Sequence, residues 1–230
     1  MIEFLFIDLD DTILDFQKAE KIALAKTLQS FGLEPEPAVL SRYHLINKGY
    51  WERLERKEVT RQALLVDRFG DLFAEYGIAV EPVQCARTYE KNLGTGHYFL
   101  PGAREAVESL SRKYKLYLAS NGTSHVQAGR LESADIAQFF QGVFISQEIG
   151  VNKPDREYFE RCFAQIPGFT RTKAMIVGDS LSSDILGGKQ AGIMTCWVNP
   201  KGKTAPADLQ PDYEIPALSA LEALLDTENL

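Results

Sequence analysis

Three carboxylates follow the first apolar segment of the chain within four positions. Phe4 to Ile7 are apolar, and Asp8, Asp10 and Asp11 come shortly after them. A short apolar run that ends at a turn is typical of a buried strand in a parallel sheet, where ligands bind beyond the carboxyl ends of the strands. Carboxylates this close repel one another unless one takes up a proton or a cation lies between them. The spacing therefore indicates either a solvated acidic turn or a cation site.

Further polar groups come after later apolar segments that have the character of strands. One segment leads into Ser120-Asn121-Gly122, and another leads into Gly178-Asp179-Ser180, with Asp184 shortly afterwards. Lys153-Pro154 comes soon after a third such segment. In a parallel sheet all of these positions lie along one edge, which is the edge where ligands bind. Their convergence there favours a functional site over a solvated turn at Asp8.

The residue types suit a hard metal ion and a phosphoryl group. Carboxylates such as those of Asp8, Asp179 and Asp184 are ligands that Mg²⁺ prefers over imidazole or thiolate. The charge of Lys153, the Ser120 hydroxyl and backbone N–H groups near it can neutralise and hold phosphate oxygens. One carboxylate can attack as a nucleophile, while a second protonates the leaving oxygen and then activates water. The set therefore predicts phosphoryl transfer.

The elements that must position these residues form two kinds of segment. From about residue 15 to residue 91 the pattern is helical, with predicted helices near 19–28, 39–55, 60–76 and 82–92. From residue 101 onward, strands alternate with helices, which implies right-handed crossovers and a parallel sheet covered on both faces. We therefore predict an α/β fold with a Rossmann-like parallel sheet core, residues 1–14 and 97–230, and an inserted helical cap, residues 15–96.

The composition excludes several other classes of protein. The 230 residues carry a formal net charge of −7, which argues against a binder of nucleic-acid polymers or membrane surfaces. Three widely spaced cysteines fit a reducing compartment better than a disulfide framework, and three histidines make a zinc site a poor fit. No segment has the pattern of a signal peptide or a membrane span. We expect a cytoplasmic protein and leave its oligomeric state, monomer or dimer, open.

The ordered motifs resemble a known superfamily. Asp8-x-Asp10-x-Thr12, Ser120-Asn121, Lys153-Pro154 and Gly178-Asp179-Ser180-x-x-x-Asp184 are similar to the four motifs of haloacid dehalogenase-like phosphatases. The helical insertion after the first motif resembles the four-helix cap of that superfamily. The dehalogenases of the superfamily lack an acid at the position of Asp10, because a halide leaves without a proton. The resemblance therefore implies a phosphatase rather than a dehalogenase.

The resemblance also implies a role for each matching residue. Asp8 would be the nucleophile, Asp10 the general acid and base, and Ser120, Asn121 and Lys153 would hold the phosphoryl group.

The same resemblance implies the metal site and its support. Mg²⁺ would be bound by the carboxylate of Asp8, the backbone carbonyl of Asp10 and Asp179. Asp184 would act through water or by positioning Lys153, and Thr12 would brace the first motif. Asp11 has no catalytic role by position and is interpreted as a turn residue.

A narrower resemblance concerns the substrate. Five further segments are similar to the pyrimidine 5′-nucleotidase branch, which acts on nucleoside monophosphates, including non-standard ones: Asn47-Lys48-Gly49-Tyr50-Trp51, Arg68-Phe69, Ile145–Val151, Asp184–Gly188 and Thr195–Asn199. Within them, Tyr50 and Trp51 are candidates for the substrate pocket, as groups that stack on the base, or for the core of the cap. The implied partner is a small phosphomonoester.

Other readings stay open at this stage. Another small phosphomonoester, such as a sugar phosphate or phosphoglycolate, could be the substrate of the same machinery. A phosphomutase is a weaker alternative. A phosphoacceptor signalling module uses similar residues, but it has about half this length and no helical insertion. We expect the cap to cover the site, exclude water during transfer and open to release product.

Overall fold

Six parallel strands form a single sheet at the centre of the molecule, and the computed structural model describes residues 1–228. Along the sheet the order is β3-β2-β1-β4-β5-β6, with every neighbouring pair parallel. The predicted α/β class with a parallel sheet is confirmed. The strands are β1 (Phe4–Ile7), β2 (Lys115–Ser120), β3 (Gly142–Ile145), β4 (Ala174–Gly178), β5 (Met194–Val198) and β6 (Tyr213–Ile215).

Strand β1 lies in the middle of the sheet and is buried on both faces. Leu5 and Ile7 belong to the apolar cluster on one face, whereas Phe4 and Phe6 belong to the cluster on the other. An unbroken apolar run, rather than an alternating one, is what such a strand requires. From β1 the chain order runs outward in both directions, so the residues after β1 stand at the point where the strand order reverses.

Helices of the core cover the two faces of the sheet. A short turn at Leu181–Ile185 has π-helical hydrogen bonding and leads into the helix that begins at Leu186. The core helices are α5 (Ala103–Ser111), α6 (Ser124–Ala134), α7 (Ser146–Ile149), α8 (Arg156–Phe163), α9 (Leu186–Ala191) and α10 (Leu221–Thr227).

Four helices lie between β1 and the rest of the core: α1 (Phe16–Ser30), α2 (Pro37–Glu55), α3 (Arg61–Tyr76) and α4 (Pro82–Leu93). The side chains of Asp15 and Thr60 accept backbone N–H groups at the starts of α1 and α3. Helix α2 begins two residues before the predicted start, because proline is well accommodated in the first turn of a helix. We refer to α1–α4 as the cap.

The segments that enter and leave the cap are paired with each other. Leu14 and Phe99 form an antiparallel bridge, and the Asp15 N–H donates to the Tyr98 carbonyl at 2.7 Å. The Leu100 N–H donates to the Ile13 carbonyl at 3.0 Å. The predicted boundary at residue 14 lies in this paired region, and the predicted boundary at residue 97 lies one residue before it; the division into domains stays a prediction. Among residues 1–228, no helix has the length and apolar character needed to span a membrane.

Candidate active site

The ends of three adjacent strands bring the predicted residues together. The Asp8 N–H continues the ladder of β1 by donating to the Val177 carbonyl of β4 at 2.9 Å. Ser120 is the last residue of β2, and Asp179 comes directly after β4. Because β2, β1 and β4 are neighbours, these three side chains meet at one edge of the sheet, as the sequence predicts.

Lys153 is buried between two carboxylates. Its Nζ donates to Asp8 Oδ1 at 2.8 Å, to Asp184 Oδ1 at 2.6 Å and to the Ala119 carbonyl at 2.5 Å. Burial alone would lower the pKa of Lys153, but the carboxylates of Asp184 and Asp8 raise it above its ordinary value. Lys153 is therefore a fixed positive charge that contacts the side chain at the end of β1.

Asn121 fixes the backbone that carries Lys153. The Asn121 side-chain amide donates to the Lys153 carbonyl at 2.9 Å, and the Lys153 N–H donates back to Asn121 Oδ1 at 2.8 Å. The Asn121 side chain is therefore committed to Lys153, and phosphate binding by Asn121 stays a prediction that its backbone N–H would have to fulfil. The Ser120 hydroxyl oxygen accepts the Gly122 N–H at 3.1 Å, which shapes the same loop.

Asp184 reaches the site from the π-helical turn and packs against the end of β4. It is fully buried, and its second carboxylate oxygen accepts the Ser180 N–H at 3.1 Å. A side chain at position 178 would collide with this carboxylate, so Gly178 is the residue that permits its approach. Asp184 was predicted to act either through water or by positioning Lys153. The structure contains the contact that the second action needs, a direct ion pair with Lys153.

The carboxylates of this edge are crowded enough to change their own acidity. Burial raises the pKa of Asp8 to about 7; Lys153 opposes the shift, and the charges of Asp184 and Asp10 add to it. The pKa of Asp179 is also raised, first by burial and then by Asp8 and Asp184. This edge of the sheet therefore carries an excess of negative charge, which a bound cation would balance.

Three of these carboxylates are arranged as a metal site. Asp8, Asp179 and Asp184 each offer an oxygen, and the three oxygens lie within 4.8 Å of one another. Oxygen donors with excess negative charge fit Mg²⁺, which takes carboxylate and water ligands. The donor set therefore agrees with the metal that the sequence predicts.

Helix α6 holds Asp10 with two residues that the sequence analysis missed. Gln127 Nε2 donates to Asp10 Oδ2 at 2.7 Å and to Ser120 Oγ at 2.8 Å, and Arg130 Nη1 donates to Asp10 Oδ1. Arg130 Nε also donates to the Gly96 carbonyl, at 3.0 Å, on the segment that leaves the cap. The sequence does hold a signal for these two residues. Gln127 and Arg130 are spaced i and i+3, so they share one face of α6 with the apolar residues Val126 and Leu131.

The other two residues of the first motif have structural positions. Asp11 has a left-handed backbone, φ 55°, and its side chain accepts the Phe16 N–H at 2.9 Å, which supports its interpretation as a turn residue. Thr12 is fully buried, and its hydroxyl has no hydrogen-bond partner among residues 1–228. The predicted bracing by Thr12 therefore stays a prediction, and packing is the only contact through which it could act in this structure.

A cavity of about 420 Å³ extends from the strand ends into the cap. Trp51 lines it, whereas Tyr50 does not. The Tyr50 ring packs with Leu54 and Leu64, and its hydroxyl donates to Asp71 at 2.8 Å. Adjacent residues on a helix point about 100° apart, so α2 can turn only one of the two aromatic rings to the cavity. Of the two predicted places for Tyr50, the substrate pocket and the core of the cap, the structure places its ring in the core of the cap.

The cap end of the cavity carries a chain of polar side chains. The buried Asn47 amide donates to Glu20 Oε1 at 2.6 Å, and Arg68 Nη1 donates to Asn47 Oδ1 at 2.7 Å. His44 Nδ1 lies 2.6 Å from the other Glu20 oxygen. Burial raises the pKa of Glu20, and its bonds to His44 and Asn47 oppose that shift. Glu90 lines the same end of the cavity.

The first residue of α3 connects the cap to the core. Arg61 Nη1 donates to the carbonyls of Asn121 and Gly122 at 3.0 and 3.1 Å, and Nη2 donates to Ser146 Oγ and Asn152 Oδ1 at 2.7 and 2.6 Å. Burial lowers the pKa of Arg61 to about 10. Within the described residues Arg61 thus joins the cap to the loop after Ser120.

Comparison with known proteins places the chain in a family. The profile of the haloacid dehalogenase-like hydrolases matches residues 5–198. The chain belongs to this family. PynA of Streptococcus pneumoniae, named a pyrimidine 5′-nucleotidase, is 38% identical over 229 residues, which are 99% of this chain and 97% of PynA.

Two further comparisons agree with this placement. YjjG of Escherichia coli, also named a pyrimidine 5′-nucleotidase, is 29% identical over 223 residues, 97% of each chain. A crystal structure of YfnB from Bacillus subtilis, bound to magnesium, matches with a TM-score of 0.92 and 36% identity over 100% of this chain and 99% of that one. The predictions of an enzyme, of this superfamily and of a resemblance to the nucleotidase branch are confirmed.

Proposed function

We propose that the protein is a Mg²⁺-dependent phosphomonoesterase that hydrolyses nucleoside 5′-monophosphates. Its substrates include nucleotides with pyrimidine bases and nucleotides with non-standard bases. The observation that carries this proposal is the continuity of one cavity from Asp8 and Lys153 to the polar residues of the cap. When the phosphoryl group of a small ester binds at the strand ends, the rest of the ester extends into that cavity. Nucleotidase relatives that align over nearly the whole chain support the choice of ester.

In the first step, an Asp8 carboxylate oxygen attacks the phosphorus and the bond to the ester oxygen breaks. Asp10 gives its proton to the departing oxygen, so the nucleoside leaves as a neutral alcohol. Lys153, Ser120 and backbone N–H groups of the Asn121 loop hold the phosphoryl oxygens during transfer. The product of this step is an aspartyl-phosphate on Asp8.

In the second step, Asp10 takes a proton from water, and the water oxygen attacks the phosphorus of the aspartyl-phosphate. The bond to Asp8 breaks, inorganic phosphate is released and Asp10 is again protonated. Arg130 and Gln127 keep the Asp10 carboxylate in place for both proton transfers. Mg²⁺ bound by Asp8, Asp179, Asp184 and the Asp10 carbonyl would neutralise charge on the transferring group. Through its contact with Asp184, Lys153 keeps its orientation toward Asp8.

A phosphate-release screen tests the proposal. Purified protein with Mg²⁺ should release inorganic phosphate from dUMP and dTMP, and a chelator should abolish the release. A higher kcat/KM for sugar phosphates or phosphoglycolate would refute the nucleotide assignment and leave the phosphatase intact. Isomerised product with no free phosphate would instead indicate a phosphomutase, and a stable phosphoprotein without turnover would indicate a signalling module.

A further inference from the structure

Arg61 of the cap directs all four of its terminal N–H groups at the core. Nη1 donates to two backbone carbonyls of the loop after β2, and Nη2 donates to the side chains of Ser146 and Asn152. All four acceptors are uncharged, and within the described residues the guanidinium has no ion pair with a carboxylate. Desolvating a cation without a counter-charge is costly, and such electrostatics are concentrated at functional sites.

The bond from Arg61 to Asn121 also fixes the next N–H group of the loop. The Asn121 carbonyl and the Gly122 N–H belong to one peptide group, and in a trans peptide they point in opposite directions. This peptide bond is trans. Because Arg61 holds the carbonyl, the N–H is directed away from Arg61, and it donates to Ser120 Oγ at 3.1 Å. A cation on the carbonyl strengthens the donation from the N–H of the same peptide group.

The Ser120 hydroxyl is left with only its proton to share. A hydroxyl accepts two hydrogen bonds and donates one. Ser120 Oγ accepts the Gly122 N–H and, at 2.8 Å, Gln127 Nε2, so both acceptor positions are occupied. The proton has no acceptor among residues 1–228, and Ser120 lines the same cavity as Asp8. Ser120 can therefore act only as a donor, which is what an anionic phosphoryl oxygen requires.

We propose that Arg61 is a positioning residue for phosphoryl transfer, because it holds the peptide group between Asn121 and Gly122 so that the Ser120 hydroxyl donates to the phosphoryl group. This inference rests on the proposed function, but only on its phosphoryl-transfer step and not on the nucleoside. Arg61 belongs to the cap by its place in the chain, yet it acts at the strand ends. Its effect is therefore the same for every ester.

A double-mutant cycle between Arg61 and Ser120 tests the proposal. The probes are p-nitrophenyl phosphate, dUMP, and 2-deoxyribose 5-phosphate, which lacks the base. Arg61→Met should lower kcat/KM by about tenfold or more, and by the same factor for all three esters. It should raise the Kd of inorganic phosphate, measured by calorimetry with Mg²⁺ present, by a similar factor. In a Ser120→Ala background, Arg61→Met should lower kcat/KM by less than about threefold, because the hydroxyl that it positions is gone.

Two other variants separate this role from general effects on the cap. Arg56→Met is the matched control, because Arg56 is exposed and pairs with Glu58 within the cap. It should leave every kcat/KM within about twofold of the wild type. Lys57→Met tests docking of the cap, since the Lys57 side chain bonds only Asp155 of the core among the described residues, at 2.8 Å. Any loss that it causes should be equal with and without the Ser120 hydroxyl.

Arg61→Lys keeps the charge but cannot reproduce the planar fork that spans four acceptors. It should show the same loss for all three esters and the same coupling to Ser120→Ala. This variant gives the cycle a second route when Arg61→Met fails to fold, which denaturation of the purified protein reveals. Losses that simply add, with Arg61→Lys or Arg61→Met as costly in Ser120→Ala as in the wild type, would overturn the proposal. A loss confined to dUMP would overturn it as well.

The failure of this role and the failure of the proposed function give different results. A wild-type protein that hydrolyses dUMP, with Arg61→Met and Arg61→Lys as active as Arg56→Met, overturns the role of Arg61 alone. A wild-type protein that releases phosphate from none of the three esters overturns the proposed function, and the role of Arg61 with it.

Discussion

The two ends of the cavity are both polar, but they differ in the balance of charge. At the core end, the carboxylates of Asp8, Asp10, Asp179 and Asp184 outnumber the cations Lys153 and Arg130. At the cap end, Glu20, Asn47 and Arg68 are linked in a hydrogen-bonded chain. The core end has an excess of negative charge, whereas the cap end is a set of hydrogen-bonded polar side chains.

This difference fits a division of work between the two ends. The excess negative charge at the core end is balanced by a hard cation. A phosphoryl group can bind beside that cation whatever the rest of the ester is. Polar side chains held in fixed positions are matched only by a ligand whose own polar groups have the corresponding arrangement. In the proposed function, the core end performs the reaction and the cap end selects the leaving group. Substitutions at the core end should therefore act on all substrates, and those at the cap end on some of them.

The largest effect should come from Asp8→Asn. The amide cannot attack phosphorus, so we expect phosphate release to fall by at least about 10³-fold with every substrate. The free energy of unfolding in metal-free protein should not fall, because Asp8 is a buried carboxylate among like charges. Steady-state phosphate release and chemical denaturation measure the two quantities. Asp208→Asn, at an exposed loop position, is the control. Retained turnover in Asp8→Asn would refute the mechanism.

A smaller and selective effect should come from Trp51→Leu. If the ring stacks on the base, its loss should lower kcat/KM for dUMP by about tenfold and change that for 2-deoxyribose 5-phosphate much less. The neighbouring Tyr50→Phe is the matched comparison, since Tyr50 lies in the core of the cap. It should lower the free energy of unfolding by about 1 kcal/mol, through the lost bond to Asp71, with unchanged substrate ratios. Equal kinetic losses in both variants would contradict the assignment of Trp51 to the cavity wall.

The smallest effect should be a pH dependence of stability in the metal-free protein. The pKa of Asp8 is about 7 in the fold and ordinarily 3.8, so between these values the folded chain binds more protons than the unfolded one. The contribution of Asp8 to the free energy of unfolding therefore rises as pH falls from about 7 toward 4, by at most about 1.4 kcal/mol per pH unit. Denaturation of the wild type and of Asp8→Asn at several pH values isolates this slope. Identical slopes would show that Asp8 is not the group responsible.

The core end could be predicted from the sequence because its residues follow strands that end at one edge. Asp8, Ser120 and Asp179 are each local to the end of a strand, so a parallel sheet suffices to bring them together. The direct pairing of Asp184 with Lys153 depends on the π-helical turn, whose start the helical pattern does not show. Gln127 and Arg130 were missed because their partner, Asp10, is more than a hundred residues away in the chain.

The cap end could not be predicted in the same way. Four amphipathic helices are visible in the sequence, but the rotation of each about its axis is set by packing against the others. Tyr50 and Trp51 illustrate the limit, because either could have faced the cavity until α3 was in place to bury Tyr50. The hydrogen bonds among Glu20, Asn47 and Arg68 likewise exist only as a result of that packing. Helix existence was predictable, whereas the contacts between helices were not.

The pairing of the two linkers has a consequence for how such a chain can change over time. Leu14 and Phe99 are neighbours, so the whole stretch from α1 to α4 starts and finishes at one place on the core. The entropy cost of bringing the two linkers together depends only weakly on the length of the stretch between them. The carboxylates of Asp8, Asp10, Asp179 and Asp184 all lie outside it. A lineage could therefore replace this stretch with one of another length or shape, and so acquire new substrates, while the sheet beneath keeps its order and its chemistry.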